Sequence, residues 1–261
     1  MTKKNTTAPA GAAIRQAQFP EKAGAGGVRM PVLKGEIAGL KSALFTLPAG
    51  GRLEFEGRPG QGVFLFFTRG AGSAQTGGRR WDVKEIALLI PRLGEAVAVE
   101  AAADLRGLEL VMDLVPADQD DLRARNTLFP YFMPYSSCKT YQEVIKSPKT
   151  INRTLLPEDV FPRFCAGSVQ TTGPDRVGEH AHPMLEQLFL GLPGNQCTVK
   201  ADAAETPFSE ADVLHIPLGS THSVRVDPGS ELHYIWLDFF GKREDMSWIT
   251  QQHIASDAKK P

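Results

Sequence analysis

Two series of short strand-like segments, one in each half of the chain, limit what this sequence can fold into. The first series runs through residues 41–115 and the second through residues 165–240. The segments are about 5–9 residues long, the usual strand length, and Gly or Pro separates most of them. This even spacing of short strands favours a sandwich or a barrel over a fold in which strands alternate with helices.

The two series are an internal repeat. A shift of 126 residues places Gln187 on Gln61. After a one-residue deletion in a later turn, a shift of 125 residues places Asp238 on Asp113. A repeat of this length is a supersecondary unit used twice. We therefore predict an all-β chain with two similar domains in tandem and few short helices.

The composition is that of an ordinary globular protein, with 42% hydrophobic and 23% charged residues. The formal net charge is −1 and no basic block stands out, so we expect no nucleic-acid partner. No run approaches about 18 apolar residues, and the first residues lack an apolar signal-peptide segment, so we expect no membrane attachment. Three cysteines without metal-type spacing indicate reduced thiols and a cytoplasmic protein.

The pattern predicts five parts along the chain. Residues 1–27 are rich in Ala, Gly, Thr and Lys and are expected to be a flexible arm. Residues 28–116 and 160–242 hold the two domains. Residues 117–159 are expected to be a connector with a short helix and a Pro- and aromatic-rich stretch, and residues 243–261 a tail.

The second domain carries a candidate metal site. His180 and His182 are two residues apart, so in a strand they project from the same face, about 6–7 Å apart along the chain. His222 follows a Pro- and Gly-containing turn at the start of another strand. Neutral imidazole is a common ligand of divalent transition metals. Glu186 and Gln187, just beyond the first two histidines, are candidates for a fourth ligand.

Both stretches resemble motifs of the cupin superfamily. The stretch from Gly178 to Gly194 resembles the first motif, with its His-x-His, its acid and its closing Gly. Pro217-Leu218-Gly219-Ser220-Thr221-His222 resembles the second. With the repeat, the chain resembles a bicupin of two jelly-roll barrels, the double-stranded β-helix fold, over residues 35–115 and 160–240. The resemblance implies one metal ion held by three histidines and a fourth side chain.

The fourth ligand is open between the two adjacent side chains, because a regular strand cannot turn both inward. Chemistry favours Glu186, since a carboxylate binds divalent cations better than an amide does. Register favours Gln187, which lies six residues before Gly194 and aligns with Gln61 in the repeat. Gln187 would leave the metal its full double positive charge and would favour an anionic oxygen substrate.

Strand alternation also predicts the walls of the pocket. If Gln187 points inward, so do Phe189 and Gly191, and Val224 and Val226 face the same way after the third histidine. Gly191 is expected to leave room above the metal. The pocket is then small and apolar, with polar groups near the metal.

The N-terminal domain lacks these ligands, since all six histidines lie after residue 179. The shift places Glu54, Glu56 and Val97 on the three histidines. We predict a degenerate domain with a structural role. The alternative is that its two carboxylates and Gln61 hold a hard cation.

The resemblance implies dioxygenase, isomerase, lyase or hydrolase chemistry on a small molecule. Three imidazoles with an amide or carboxylate suit iron, manganese, nickel, copper or zinc. We favour a dioxygenase-type oxidoreductase, because the sequence shows no second acid–base pair, and we expect an anionic small-molecule substrate. The alternative function is a non-catalytic module that binds or senses a small ligand. The sequence is compatible with a homodimer, and it identifies no catalytic residue.

Overall fold

The computed structural model describes residues 14–20, 26–125, 128–143 and 145–247. Its regular elements are mostly β-strands in antiparallel sheets, which confirms the all-β prediction. One α-helix, α1, spans Pro116–Ala124, at the start of the connector for which a short helix was predicted. Short 3-10 turns occupy Tyr135–Ser137 and Arg243–Asp245. Among the described helices, none has the length and apolar character needed to cross a bilayer.

The strands of the described residues are β1 (Arg15–Gln18), β2 (Val28–Val32), β3 (Leu40–Leu47), β4 (Arg52–Phe55), β5 (Gln61–Arg69), β6 (Gly72–Thr76), β7 (Arg79–Val83), β8 (Ala87–Ile90), β9 (Val97–Ala101), β10 (Leu105–Asp113), β11 (Tyr131–Pro134), β12 (Lys139–Tyr141), β13 (Ile151–Leu156), β14 (Phe164–Thr172), β15 (Asp175–Ala181), β16 (Leu185–Gly191), β17 (Gln196–Ala201), β18 (Ala204–Ser209), β19 (Asp212–Ile216), β20 (Thr221–Val226) and β21 (Glu231–Phe240).

The chain forms two compact units that do not coincide with two consecutive halves. Of the described residues, the N-terminal unit comprises 17–20, 26–125, 128–139 and 154–162, and the C-terminal unit comprises 14–16, 140–143, 145–153 and 163–247. The connector predicted over residues 117–159 is therefore divided between the units. Its Pro- and aromatic-rich stretch contributes β11.

The N-terminal unit has a six-stranded sheet in the order β11-β8-β5-β10-β3-β2 and a four-stranded sheet in the order β4-β9-β6-β7. Alternation along β5 explains the core between them. Val63, Leu65 and Phe67 point inward and pack with Phe55 and Val97 of the smaller sheet. Burial of such side chains contributes roughly 1.5–3 kcal/mol each.

The C-terminal unit repeats this plan. Its large sheet has the order β1-β19-β16-β21-β14-β13-β12 and its small sheet the order β15-β20-β17-β18. The central run β19-β16-β21-β14 corresponds to β8-β5-β10-β3, and the small sheets correspond strand for strand. Phe189, Val199 and Val224 pack together in the core between the two sheets. The prediction of two similar jelly-roll domains is confirmed.

Residues of the predicted arm and tail are described only in part. Residues 1–13, 21–25 and 248–261 lie outside the described residues. Arg15–Gln18 forms β1 at one end of the large C-terminal sheet. Gln16 accepts a hydrogen bond from Thr206 Oγ1 over 3.0 Å, which ties this strand to β18.

Candidate metal centre

Three histidines converge inside the C-terminal unit. His180 lies on β15, His182 follows the end of β15, and His222 lies on β20. One ring nitrogen from each lies within 4.8 Å of the other two. The ring centroids are 4.3 Å apart for His180 and His222, 4.9 Å for His180 and His182, and 5.4 Å for His182 and His222. In the described part of the chain, this is the one group of three or more His, Cys, Asp or Glu side chains whose donor atoms come so close.

Backbone carbonyls fix two of the rings. His180 Nδ1 lies 2.8 Å from the carbonyl oxygen of Gly178, and His222 Nδ1 lies 3.3 Å from that of Ser220. A carbonyl oxygen only accepts hydrogen bonds, so each Nδ1 carries the proton. Each neutral ring then keeps the lone pair of Nε2 for a metal ion, and such hydrogen bonds orient metal-bound histidines.

The surroundings keep these imidazoles neutral. Burial lowers the pKa of His222 well below its ordinary value, and the neighbouring His180 and His182 lower it further. Burial is also the largest cause of the lowered pKa of His180, while its hydrogen bond to Gly178 acts in the opposite direction. Neutral imidazole is the form that binds a metal. The site is therefore ready for a cation without first losing protons at neutral pH.

A β-bulge places His180 opposite His222. Val177 pairs with Val224, but the next paired residues are His180 and His222, so two residues of β15 face one residue of β20. Bulges re-aim side chains and are common beside functional sites. Without the extra residue, alternation would turn His180 to the other face of the sheet.

Strand pairing also corrects the predicted equivalence between the domains. In the N-terminal unit, Phe55 pairs with Val97 in an unbroken register. His180, opposite His222, therefore corresponds to Phe55 and not to Glu54. The sequence offset was wrong here by one residue, because His180 lies seven positions before Gln187 whereas Phe55 lies six positions before Gln61, so the chain has one extra residue between His180 and Gln187. The N-terminal unit thus has two buried apolar side chains where the C-terminal unit has two histidines.

Gln187 faces inward from β16, on the same side as Phe189, whose ring lies 5.8 Å from that of His222. Its Nε2 donates a hydrogen bond to Asp238 Oδ1 over 2.7 Å. Its Oε1 is buried and has no hydrogen-bond partner. A buried acceptor without a partner costs about 1–3 kcal/mol. A cation bound to Oε1 would remove that cost, so the donor set fits a metal ion.

Glu186 lies on the opposite face of β16. Its Oε2 lies 2.8 Å from Nε2 of the buried His215. Glu186 is therefore not part of the histidine cluster, although its chemistry made it a candidate. The regular alternation of β16 decides between the two side chains, because a carboxylate at 186 and an amide at 187 must face opposite ways.

Gly191 does not have the expected role. A Cβ atom on this residue would lie 2.1 Å from the carbonyl oxygen of Ser209. Glycine is required there because the backbone before β19 passes too closely for any side chain, not because the metal needs space. The other predicted wall residues, Phe189, Val224 and Val226, are buried in the core between the sheets.

The corresponding region of the N-terminal unit is a cavity of about 350 Å³ lined by charged side chains of both signs, among them Arg29, Glu54, Glu56 and Glu109. Glu56 is largely exposed and forms an ion pair of 2.7 Å with Arg58. Glu109 is buried and forms an ion pair with Arg29. The acids of this cavity do not form a converging group of the kind made by the three histidines.

Four polar residues inside the C-terminal unit were not selected from the sequence as site residues. Asp238 holds Gln187, as described above. Glu143 and Lys146 form an ion pair of 2.7 Å that is largely buried. Glu143 also makes a hydrogen bond to the side chain of Tyr141, and burial is the largest cause of the raised pKa of that tyrosine. No local pattern marks Tyr141, Glu143 and Lys146, since they lie more than 30 positions before His180.

No protein-family model matches this chain, and no curated protein matches its sequence. Solved structures do match its fold. An IolB-like protein from Salmonella typhimurium LT2 has a TM-score of 0.67 and 12% sequence identity, over 90% of this chain and 99% of that chain. A cupin 2 conserved barrel domain protein from Leptotrichia buccalis has a TM-score of 0.58 and 13% identity, over 88% of this chain and 99% of that chain.

A third similar structure is an oxalate decarboxylase from Lactobacillus farciminis in complex with formate. It has a TM-score of 0.62 and 15% sequence identity, over 89% of this chain and 87% of that chain. At such identities the likeness is one of fold. The matches cover both units of this chain and nearly the whole length of these neighbours.

Proposed function

We propose that this chain, which has the two-domain cupin fold, is a small-molecule metalloenzyme with one divalent transition metal in its C-terminal domain. His180, His182 and His222 would hold the ion, with Gln187 as a fourth ligand through Oε1. The observation that carries the proposal is that three ring nitrogens, one from each histidine, lie within 4.8 Å of one another. Iron, manganese, nickel, copper and zinc all suit this donor set.

When bound, the metal supplies Lewis acidity and, if it is redox-active, electrons for reaction with dioxygen. The residues of the chain prepare the site for it. The carbonyls of Gly178 and Ser220 aim two imidazoles, and Asp238 aims the amide of Gln187. Phe189 and Val224 limit access of water from the core side, since both are buried.

All four proposed ligands are neutral, so the metal keeps its double positive charge. A centre of that charge favours a small oxyanion, such as a carboxylate or an enolate. The oxalate decarboxylase neighbour, with formate bound, acts on a small carboxylate, in agreement with this substrate class. We therefore propose a small anionic substrate.

We propose two candidate reaction types for this site. A dioxygenase-type oxidation is the proposal made from the sequence, which showed no second acid–base pair. The structure adds the buried pair of Glu143 and Lys146 to the same unit. This observation favours, as a second candidate, chemistry in which a proton is transferred without oxidation, such as an isomerase or lyase reaction.

The test begins with protein purified without a histidine tag. Elemental analysis should find one transition-metal ion per chain, and a matched His222→Ala protein should have lost it. Oxygen uptake across a panel of small diketones and phenols then separates the reaction types: uptake supports the dioxygenase, and substrate loss without uptake supports proton transfer. A metal-loaded protein that binds small anions but converts none of them supports a binding or sensory module. A wild-type protein that takes up no metal contradicts the proposal.

A further inference from the structure

A segment that precedes the C-terminal domain in sequence belongs to its structural unit. We call residues 140–153, as far as they are described, the strap. Asp175, at the start of β15, accepts hydrogen bonds from Ser147 Oγ over 2.7 Å and from Thr150 Oγ1 over 3.4 Å. Lys149 Nζ donates to the carbonyl oxygens of Thr172 and Pro174 over 2.9 Å each. These bonds fasten one end of the strap to β15.

A second attachment lies at the bulge of β15. The N–H of Gly178 donates to the carbonyl oxygen of Ile145 over 3.2 Å, and Lys146 forms an isolated antiparallel bridge with Val177. Gly178 also accepts the hydrogen bond that orients His180. The strap is therefore hydrogen-bonded directly to Gly178, whose carbonyl oxygen orients a proposed metal ligand, and it places Lys146 opposite Val177, three residues before His180 on the same strand.

Lys146 is nearly enclosed, with a side chain that is 5% exposed. Its ammonium group donates to Glu143 over 2.7 Å and to Asn152 Oδ1 over 2.8 Å. Burial lowers the pKa of Lys146, and the carboxylates of Glu143 and Asp238 oppose that shift. An ammonium has three donors, and the described contacts use two of them. One donor remains in an enclosed part of the unit that holds the metal site.

The electrostatic effects of this pair reach His180. The charge of Lys146 lowers the pKa of His180 and that of Glu143 raises it, both after the larger effect of burial. The charged side chains that act on His180 or on Lys146 are Lys146 itself, Glu143 and Asp238, and a bound metal would add two positive charges to the one from Lys146. The carboxylates of Glu143 and Asp238 supply two negative charges. One positive charge is therefore left for a substrate to balance.

We propose that Glu143 and Lys146 determine the charge of the substrate, so that the site selects a singly charged oxyanion and disfavours a dianion. This inference rests on the proposed function and deepens it. A monoanion would balance the enclosed charge, whereas a dianion would leave an excess negative charge where solvent screening is weak. The carboxylate of Glu143 repels the second negative charge of a dianion, and the ammonium group of Lys146 attracts the single charge of a monoanion.

Oxalate and oxamate are matched probes for this claim. Both are small chelating anions of similar shape, but oxalate carries two negative charges and oxamate one. A Coulomb interaction is linear in charge, so a unit charge removed from the protein should change log Kd for oxalate about twice as much as for oxamate. A change in the ratio of the two affinities between variants therefore reports a change in protein charge near the metal. The contribution of the metal itself is the same in every variant.

The experiment uses the full chain loaded with Co(II), whose visible absorption reports ligand exchange. Glu143→Gln should increase the affinity for oxalate about tenfold and that for oxamate about threefold. Lys146→Met should decrease the two affinities by similar factors. The double variant Glu143→Gln/Lys146→Met restores the charge balance, so its oxalate-to-oxamate ratio should return to that of wild type. This variant also covers the case in which Lys146→Met alone does not fold.

Two matched controls remove a charge elsewhere. Glu205→Gln removes an exposed carboxylate from β18, and Lys84→Met removes an exposed lysine of the N-terminal unit. Neither should move the ratio. Equal shifts for both anions, no shift in Glu143→Gln, or no binding of either anion to the Co(II)-loaded wild type would overturn the inference while leaving metal binding intact. Failure of wild type to bind Co(II) would instead overturn the proposed function.

Discussion

Gln187 donates a hydrogen bond from Nε2 to Asp238 Oδ1 over 2.7 Å, and Gln61 makes the same bond to Asp113 over 2.9 Å in the other unit. In each unit the two residues are direct partners across neighbouring strands of the large sheet. The repeat has thus kept an amide–carboxylate pair in both domains. Only in the C-terminal domain does this pair accompany three converging histidines, and there we propose that the amide oxygen binds a metal.

Gln187→Ala should weaken metal binding by about tenfold or more, in the range found for groups that support a metal site. The reason is that the variant removes a proposed ligand without touching the imidazoles. The matched control is Gln61→Ala, which removes the equivalent amide from the N-terminal unit. Titration with Zn(II) in competition with a chromophoric chelator measures both affinities. An equal loss in Gln61→Ala would show that the effect is on the fold.

Glu186→Ala should keep the metal and lose stability. The carboxylate of Glu186 lies 2.8 Å from the ring of His215, which is buried. Removing the partner of a buried polar group costs about 1–3 kcal/mol. Urea denaturation of the metal-free protein measures this loss, and elemental analysis measures the metal. Release of the metal from Glu186→Ala, with the fold intact, would return Glu186 to the ligand set.

Gly178→Val should weaken metal binding although it leaves every proposed ligand in place. A Cβ atom at Gly178 would lie 3.3 Å from the carbonyl oxygen of Ile145, and the further methyl groups of valine need more space than that contact leaves. The strap would move, and with it the carbonyl that aims His180. We expect a loss of about tenfold in metal affinity. Gly241→Val, at a position with no atom within 4 Å of the added Cβ, is the control and should bind metal as wild type does.

The sequence was sufficient for the fold and for the histidines because both depend on local spacing. Strand length and turn residues gave the two series of strands, and the Gln61 and Gln187 alignment carried over to the large sheets without change. The equivalence of His180 with Glu54 failed because the segment from His180 to Gln187 has one residue more than the segment from Phe55 to Gln61, and no pattern in the sequence marks where that residue is added. A one-residue error reverses which face of a strand a side chain occupies.

The strap could not have been found in this way. Glu143 and Lys146 lie in a stretch that belongs, by sequence position, to the connector between the domains. Their place against β15 depends on long-range bonds, such as those from Ser147 to Asp175 and from Gly178 to Ile145. Contacts between distant parts of the chain have no period that a single sequence reveals. Structure was likewise needed to show that the backbone at Ser209 requires Gly191.

Stability should fall as the pH falls from 7 to 5.5, and His233 should account for part of the loss. Burial lowers the pKa of His233, whose Nδ1 lies 3.2 Å from the carbonyl oxygen of Pro193. Below about pH 6.5, the ordinary pKa of a histidine in the unfolded chain, the unfolded chain binds more protons than the folded chain. The contribution of His233 to the free energy of unfolding is therefore complete above about pH 6.5 and decreases below it. Urea midpoints at both pH values should differ less for His233→Gln than for wild type. The same pH dependence in both proteins would contradict this assignment.

The metal content of the untagged protein is the most direct test of the central claim. Wild type, His180→Ala, His182→Ala, His222→Ala and Glu54→Gln are dialysed against the same trace-metal buffer and analysed for iron, manganese, nickel, copper and zinc. The account predicts one ion per chain in wild type and in Glu54→Gln, and a loss of most of that metal in each histidine variant, because a site that loses one of its few ligands binds far more weakly. Metal retained by all three histidine variants, or lost equally from Glu54→Gln, would contradict a single centre at these histidines.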